Sequence, residues 1–194
     1  MIYYLVALLD SGSYKKIEVI QRELCLKYKL FDVNEDLPKL HITLETIENP
    51  NLELLNAAIE RILKDYSFID AFCEGIICFE PPYKSVNLKI SQEGALKELS
   101  STLNKTLKET GFTVRKDISS YELHISLANT YFSKKQWTDF EYNTACTYAK
   151  DMCCHMKIRI NKLQLWKPIN NESEMVVYIY NLINEGKVET NELK

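Results

Sequence analysis

Two stretches, "PKLHITLETI" at residues 38–47 and "YELHISLANT" at residues 121–130, carry nearly the same five letters: Leu-His-Ile-Thr-Leu and Leu-His-Ile-Ser-Leu. The 194 residues hold three histidines, and two of them sit in this context. Apolar residues at alternate positions mark both stretches as β-strands. Residues two apart on a strand share a face. Leu40, Ile42 and Leu44 therefore turn toward a core, while His41 and Thr43 turn away from it. Leu123, Ile125 and Leu127 repeat the inward set, and His124 with Ser126 repeat the outward one. One such histidine is ordinary on a half-buried strand. Agreement at four neighbouring positions is expected by chance about once in 10⁴.

The agreement extends outward. The two histidines are 83 residues apart (124 − 41). The same offset lays strand 2–10 on 85–93, helix 12–31 on 95–111, helix 50–66 on 133–149 and strand 68–80 on 151–163. Leu52, Leu55, Ile59 and Ile62 recur at helical spacing after an Asn49-Pro50 start signal, and Leu96, Leu99, Leu103 and Leu107 do so before Gly111. "SKKQ" at 133–136 reads as a capping box opening a helix with Trp137, Phe140, Thr144 and Tyr148 on one face. The order is strand-helix-strand-helix-strand, twice. The expected architecture is α+β: a single bilobal domain over 1–194, with repeats at about 1–80 and 84–167 and a final strand at about 174–184. Two antiparallel-rich β-sheets face a central cleft, helices lie outside, and the matching His strands converge on the cleft.

Composition narrows the function. A formal charge of −3 with 46% hydrophobic and 26% charged residues describes an ordinary globular chain with no global attraction to long nucleic acid. A small ligand or short oligonucleotide suits it better. "MIYYLVALLD" lacks a positive n-region and reads as the first strand, and no run reaches the ~18 apolar residues of a membrane span. A cytoplasmic protein is expected, without membrane association and as a monomer. Its six cysteines read as reduced, mostly buried thiols. Cys153, Cys154 and His155 lack the spacing of a zinc site, so no metal and no cofactor is expected.

Two His-apolar-Thr/Ser-apolar motifs about eighty residues apart in a duplicated chain of this length resemble the two-histidine (2H) phosphoesterase superfamily. That superfamily includes 2′-5′ RNA ligase-like proteins and cyclic phosphodiesterases. The resemblance covers the chain to about residue 185. It implies His41 and His124 as the catalytic pair and Thr43 and Ser126 as the phosphate-binding hydroxyls. Many ligase-like members continue the first motif into a Phe-Leu-Gly-like stretch; this chain has Glu45-Thr46-Ile47.

The residue types suit that chemistry. Opening a 2′,3′-cyclic phosphate needs a base for water and an acid for the leaving ribose oxygen. Two imidazoles with reference pKa ~6.5 supply one neutral and one protonated form near neutrality. Hydroxyls can donate to the non-bridging oxygens as charge builds. The expected substrate is a nucleotide or short RNA with a cyclic phosphate or 2′-5′ linkage. The competing reading is a non-catalytic nucleotide- or RNA-binding module with the same cleft. Lys39, on the His41 face, is a candidate phosphate contact, and Tyr131 and Phe132 are candidates for stacking a base. Tyr83 and Trp166 are weaker stacking candidates. Glu122 reads as a solvated carboxylate, and the stripe His155, Lys157 and Arg159 as a solvent face.

Overall fold

The alternating apolar residues at the N-terminus form β1 (Ile2–Leu9), and Asp10 ends the strand by accepting from Ser13 N at 2.8 Å as the N-cap of α1 (Ser11–Lys27). The first motif leads into β2 (Ile42–Glu48), followed by α2 (Leu52–Leu63), β3 (Ile69–Phe79) and β4 (Ser85–Ile90). Then come α3 (Ala95–Glu109), β5 (Thr113–Val114), β6 (His124–Ala128), α4 (Asp139–Asp151), β7 (His155–Trp166), α5 (Glu172–Met175) and β8 (Val176–Asn181). The computed structural model describes residues 1–182 except 132, 134, 153, 154 and 169–171. The expected contrast of Cys153 and Cys154 with a zinc site therefore lies outside the described residues.

The architecture is α+β with antiparallel pairing throughout. The strands run β1-β2-β6-β4-β3-β7-β8, β5 adds to β2, and a further β1–β7 pairing closes six of them into a ring. The two sheets expected from the sequence are thus hydrogen-bonded into one. They meet at Ile42 opposite Ile125, and along β7, whose first half pairs β3 and second half pairs β1 and β8. Exchanging β1 with β4, β2 with β6 and β3 with β7 maps all six ring pairings onto one another.

Most of the core lies between this sheet and the helices. Leu40, Ile42, Leu44, Leu123, Ile125 and Leu127 are all buried there, with Leu55 and Ile59 of α2 and Leu99, Leu103 and Leu107 of α3. Each such side chain contributes roughly 1.5–3 kcal/mol of transfer free energy. Each of two helices packs over the opposite half's motif strand. Ser100 Oγ of α3 donates to Leu44 O on β2 at 2.9 Å, and Cys25 Sγ of α1 donates to Leu127 O on β6 at 3.5 Å. Burial pushes the Cys25 thiol up to about 12, so it keeps the hydrogen it donates.

Several local expectations are corrected. The cap of α2 is Asn51, which accepts from Leu54 N, two residues beyond Asn49. The capping box before α4 is Thr138 with Glu141, because the loop after β6 is longer than the 83-residue offset allows; Ser133 Oγ instead donates to loop carbonyls. Caps Asn51 and Thr138 are 87 apart (138 − 51). The buried face of α4 is consequently Tyr142, Ala145, Cys146 and Ala149, and Phe140 is exposed. Cys78 and Cys146 form a disulfide rather than two thiols; Cys25 and Cys73 are buried outside it. At the end of α3, Gly111 takes φ +89° and Phe112 N returns to Leu107 O, a glycine C-terminus as read.

Candidate active site

The pairing of Ile42 with Ile125 sets the two motifs side by side and antiparallel. His41 then lies across from Ser126, and Thr43 across from His124. The four form a quadrilateral with the imidazoles on one diagonal. All four are half-buried, on the face turned from the helices.

Each motif is followed by a β-bulge at the same place. Val6 faces Thr43 and Leu5 faces Glu45, skipping Leu44; Asn87 faces Ser126 and Val86 faces Ala128, skipping Leu127. A bulge breaks the alternation of faces. Glu45 and Ala128 therefore turn into the core, where they are 0% and 2% exposed. The skipped carbonyls are those bonded by Ser100 and Cys25.

Both imidazoles are fixed alike. His41 Nδ1 lies 2.7 Å from Lys39 O, and His124 Nδ1 lies 2.8 Å from Glu122 O. A carbonyl only accepts, so each Nδ1 carries hydrogen and each neutral ring keeps its lone pair on Nε2. Aromatic walls back both rings. Trp166 is 4.6 Å from His41 between centroids, and Phe79 meets His124 edge-on at 4.8 Å. These walls are again 87 residues apart (166 − 79). Burial behind them is the main cause that holds both imidazoles below their ordinary pKa. The Nδ1 bonds offset part of this. Repulsion from His124 and Lys39 lowers His41 further, and Arg115 lowers His124.

Arg115 is held by a buried clamp. Its N–H donates to Glu45 Oε1 at 3.1 Å, and its carbonyl accepts from Asn104 Nδ2 at 2.8 Å. Asn104 Nδ2 also donates to Glu45 Oε2 at 2.6 Å. The guanidinium lies 3.4 Å over the ring of Tyr121, and its Nη1 is buried with no hydrogen-bond partner among the described residues. Tyr121 packs 6.0 Å from His124. Burial raises the Tyr121 pKa, against the opposing influence of Arg115 and Thr43 beside its hydroxyl.

His41, Thr43, His124 and Ser126 are thus brought together. Lys39 lies at the edge of this group, its ammonium 5.9 Å from the Trp166 ring. Tyr131 is 84% exposed on the loop after β6, and Phe132 falls outside the described residues. Trp166 backs His41 and is 6% exposed, so it presents no open stacking face, whereas Tyr83 is 71% exposed. Glu122 is half-buried rather than solvated: its Oε2 has no hydrogen-bond partner among the described residues, and its charge favours protonated His124. Lys157 and Arg159 are both paired with Asp70 at 2.8 Å. Sequence reasoning missed Phe79, Asn87, Arg115 and Tyr121. The 87-residue offset from Trp166 would have found Phe79; nothing local marks the others. No group of three or more His, Cys, Asp or Glu among the described residues is arranged to hold a metal.

The model of the AKAP7 2′5′ RNA ligase-like domain matches residues 5–183. The chain belongs to this family. AKAP7 2′5′ RNA ligase-like domains are members of the 2H phosphoesterase superfamily, a group of phosphoesterases and RNA ligase-like enzymes. No curated protein sequence matches the chain. Among solved structures, TT0787 of Thermus thermophilus superposes with TM-score 0.62 at 17% identity, covering 94% of this chain and 98% of that one. Kluyveromyces marxianus Usb1 with uridine monophosphate gives 0.56 at 15%, covering 93% and 97%. E. coli LigT complexed with 3′-AMP gives 0.52 at 12%, covering 93% and 96%. At these identities the likeness is one of fold. No helix among the described residues is long and apolar enough to cross a membrane.

Proposed function

We propose that the protein hydrolyses a 2′,3′-cyclic phosphate, or a 2′-5′ phosphodiester, of a nucleotide or short RNA without a metal ion. His41 and His124 act as general acid and base, and Thr43 and Ser126 line the phosphate. The observation that carries this reading is the pair of identically anchored imidazoles on one diagonal of the β2–β6 contact. With Nδ1 held by a carbonyl, each Nε2 is the nitrogen that takes or gives a proton.

In the hydrolytic step, water forms a bond to phosphorus and one P–O bond to ribose breaks. One imidazole takes the water proton and the other returns a proton to the ribose oxygen. Charge repulsion between the rings favours the singly protonated pair this step requires. Each proton transfer typically contributes about 10²–10⁴-fold. That LigT and Usb1 have been solved with 3′-AMP and uridine monophosphate supports a nucleotide as the ligand.

The test is turnover of nucleoside 2′,3′-cyclic phosphates and 2′-5′ dinucleotides in EDTA by wild type, His41→Ala and His124→Ala. Activity that survives EDTA and is lost in both variants is expected. Nucleotide binding without turnover would replace hydrolysis by a binding role. Activity retained in either variant would remove that histidine from the chemistry.

A further inference from the structure

Arg115 follows β5, on the segment that leads into the second motif, and that segment is held at both ends. Glu45 accepts from the Arg115 N–H at 3.1 Å, and Asn104 donates to the Arg115 carbonyl at 2.8 Å. Farther along, Lys97 Nζ donates to Ile118 O at 3.1 Å and to Tyr121 O at 2.8 Å. Lys97 and Asn104 both stand on α3, so that helix fixes the path from Arg115 to Tyr121. Every one of these bonds goes to main chain. None uses the Arg115 side chain.

The guanidinium rests 3.4 Å over the ring of Tyr121, which packs 6.0 Å from His124. One aromatic ring separates it from that imidazole. Nη1 is enclosed with no hydrogen-bond partner among the described residues, while the residue as a whole stays half-open to solvent. No carboxylate among the described residues pairs with Arg115, although carboxylates pair with Lys84, Lys89, Lys135, Lys157 and Arg159. Even Glu122, close enough to act on His124, does not. A guanidinium stays charged at every working pH, and its planar fork matches two phosphate oxygens. A charge drawn partly out of water without a counter-ion is costly, and an anion brought by the substrate supplies one. The arrangement is one-sided. At the offset that relates the two histidines, Asp32 stands for Arg115 and Pro38 for Tyr121.

We propose that Arg115 is a phosphate-binding residue of this site, its guanidinium meeting an anionic oxygen of the substrate on the Tyr121 side of His124. This rests on the phosphoesterase reading above and adds a cation to the two hydroxyls that line the phosphate. The oxygen belongs either to the phosphate that reacts or to a second phosphate on the same nucleotide, such as the 5′ linkage to the preceding nucleotide of a short RNA. In the first case Arg115 neutralises the reacting group. In the second it selects the end of an oligonucleotide over a mononucleotide.

The experiment measures calorimetric affinities of the full chain in EDTA for adenosine 3′-monophosphate and adenosine 3′,5′-bisphosphate, with uncharged adenosine read by displacement. Arg115→Met keeps a long stem over Tyr121 and leaves the main-chain bonds in place. Arg115→Lys restores the charge without the fork, and Arg61→Met removes an equal charge from an exposed position on α2. Arg115→Met is expected to weaken the bisphosphate about tenfold or more, with adenosine within about twofold of wild type and Arg115→Lys in between. If the oxygen belongs to the reacting phosphate, the monophosphate weakens as much. If it belongs to the 5′ phosphate, the monophosphate is unchanged and the advantage of the bisphosphate disappears. Arg115→Met binding both nucleotides within about twofold of wild type overturns the inference. So does a loss shared by adenosine, which marks damage to the fold, or a loss matched by Arg61→Met, which marks overall charge. Absence of binding by wild type overturns it too. Turnover by wild type together with unaltered binding in Arg115→Met removes this contact and leaves hydrolysis standing. Binding that depends on Arg115 without turnover of any cyclic phosphate would sink hydrolysis and leave the contact.

Discussion

Glu45→Gln is a one-atom change whose cost follows from the clamp around Arg115. Oε1 accepts from Thr46 N at 2.8 Å and Arg115 N at 3.1 Å, and Oε2 accepts from Asn104 Nδ2 at 2.6 Å. A glutamine must aim its NH₂ at one of these donors, and facing Asn104 sacrifices the fewest bonds. Asn104 cannot flip in reply, because its Nδ2 also donates to Arg115 O, and the flip would set oxygen against oxygen. The change removes one hydrogen bond to a charged acceptor, about 1.5–3 kcal/mol, and leaves two donors facing in a dry site. Relief of the buried charge offsets part of that. The expected destabilisation is about 2 kcal/mol, or about 4–8 °C in Tm for a chain of this size. Urea unfolding at pH 7, read by circular dichroism, should show a lower midpoint with unchanged slope. Glu45→Gln should also cost less when Asn104 is Ala, since the opposed donor is then absent. Stability within about 0.5 kcal/mol of wild type would refute the clamp as drawn.

Other expectations follow from the same contacts. Both imidazoles lie below the ordinary value near 6.5, and the step needs one of them protonated. The alkaline limb of a kcat/KM profile should therefore fall below about pH 6.5, and a limb at pH 7 or higher would contradict the burial argument. Trp166→Ala readmits water to His41, so the NMR titration of His41 should move upward while that of His124 does not rise. Asp70 is held at about 2 by Arg159 and Lys157, below its unfolded value near 4. Its stabilisation is complete above about pH 4 and lost as pH falls through 2, so the Tm deficit of Asp70→Asn should shrink across that window. A deficit equal at pH 7 and pH 2 would count against the ion pairs.

The paired His strands were legible because both signals are local: a period of two within each strand, and a near-identity between them. The element order was legible for the same reason. What failed was anything dependent on register beyond a strand end. The longer loop before α4 changes the offset from 83 to 87, which turned the helix face and hid Phe79 as the counterpart of Trp166. Glu45 stood out as a departure from the family's usual stretch, but strict alternation would put it beside His41 and Thr43. Only the bulge at Leu44 explains its burial. Asn87 reads as an ordinary polar residue of the alternating strand Ser85–Ile90, and its partner is a cross-strand neighbour 39 residues away.

The exchange of helices between motif strands governs the order in which the chain can be completed during synthesis. A nascent chain ending before residue 95 already carries His41 and Thr43, yet α3 has not been made. Leu44 O then has no Ser100, and the Glu45 carboxylate has no Asn104. Likewise the Cys25 thiol waits for a carbonyl 102 residues downstream. Contacts so distant in sequence make for slow, late closure. The first histidine strand is therefore an unfinished surface until the second half has emerged, and the four polar residues of the site are assembled together or not at all.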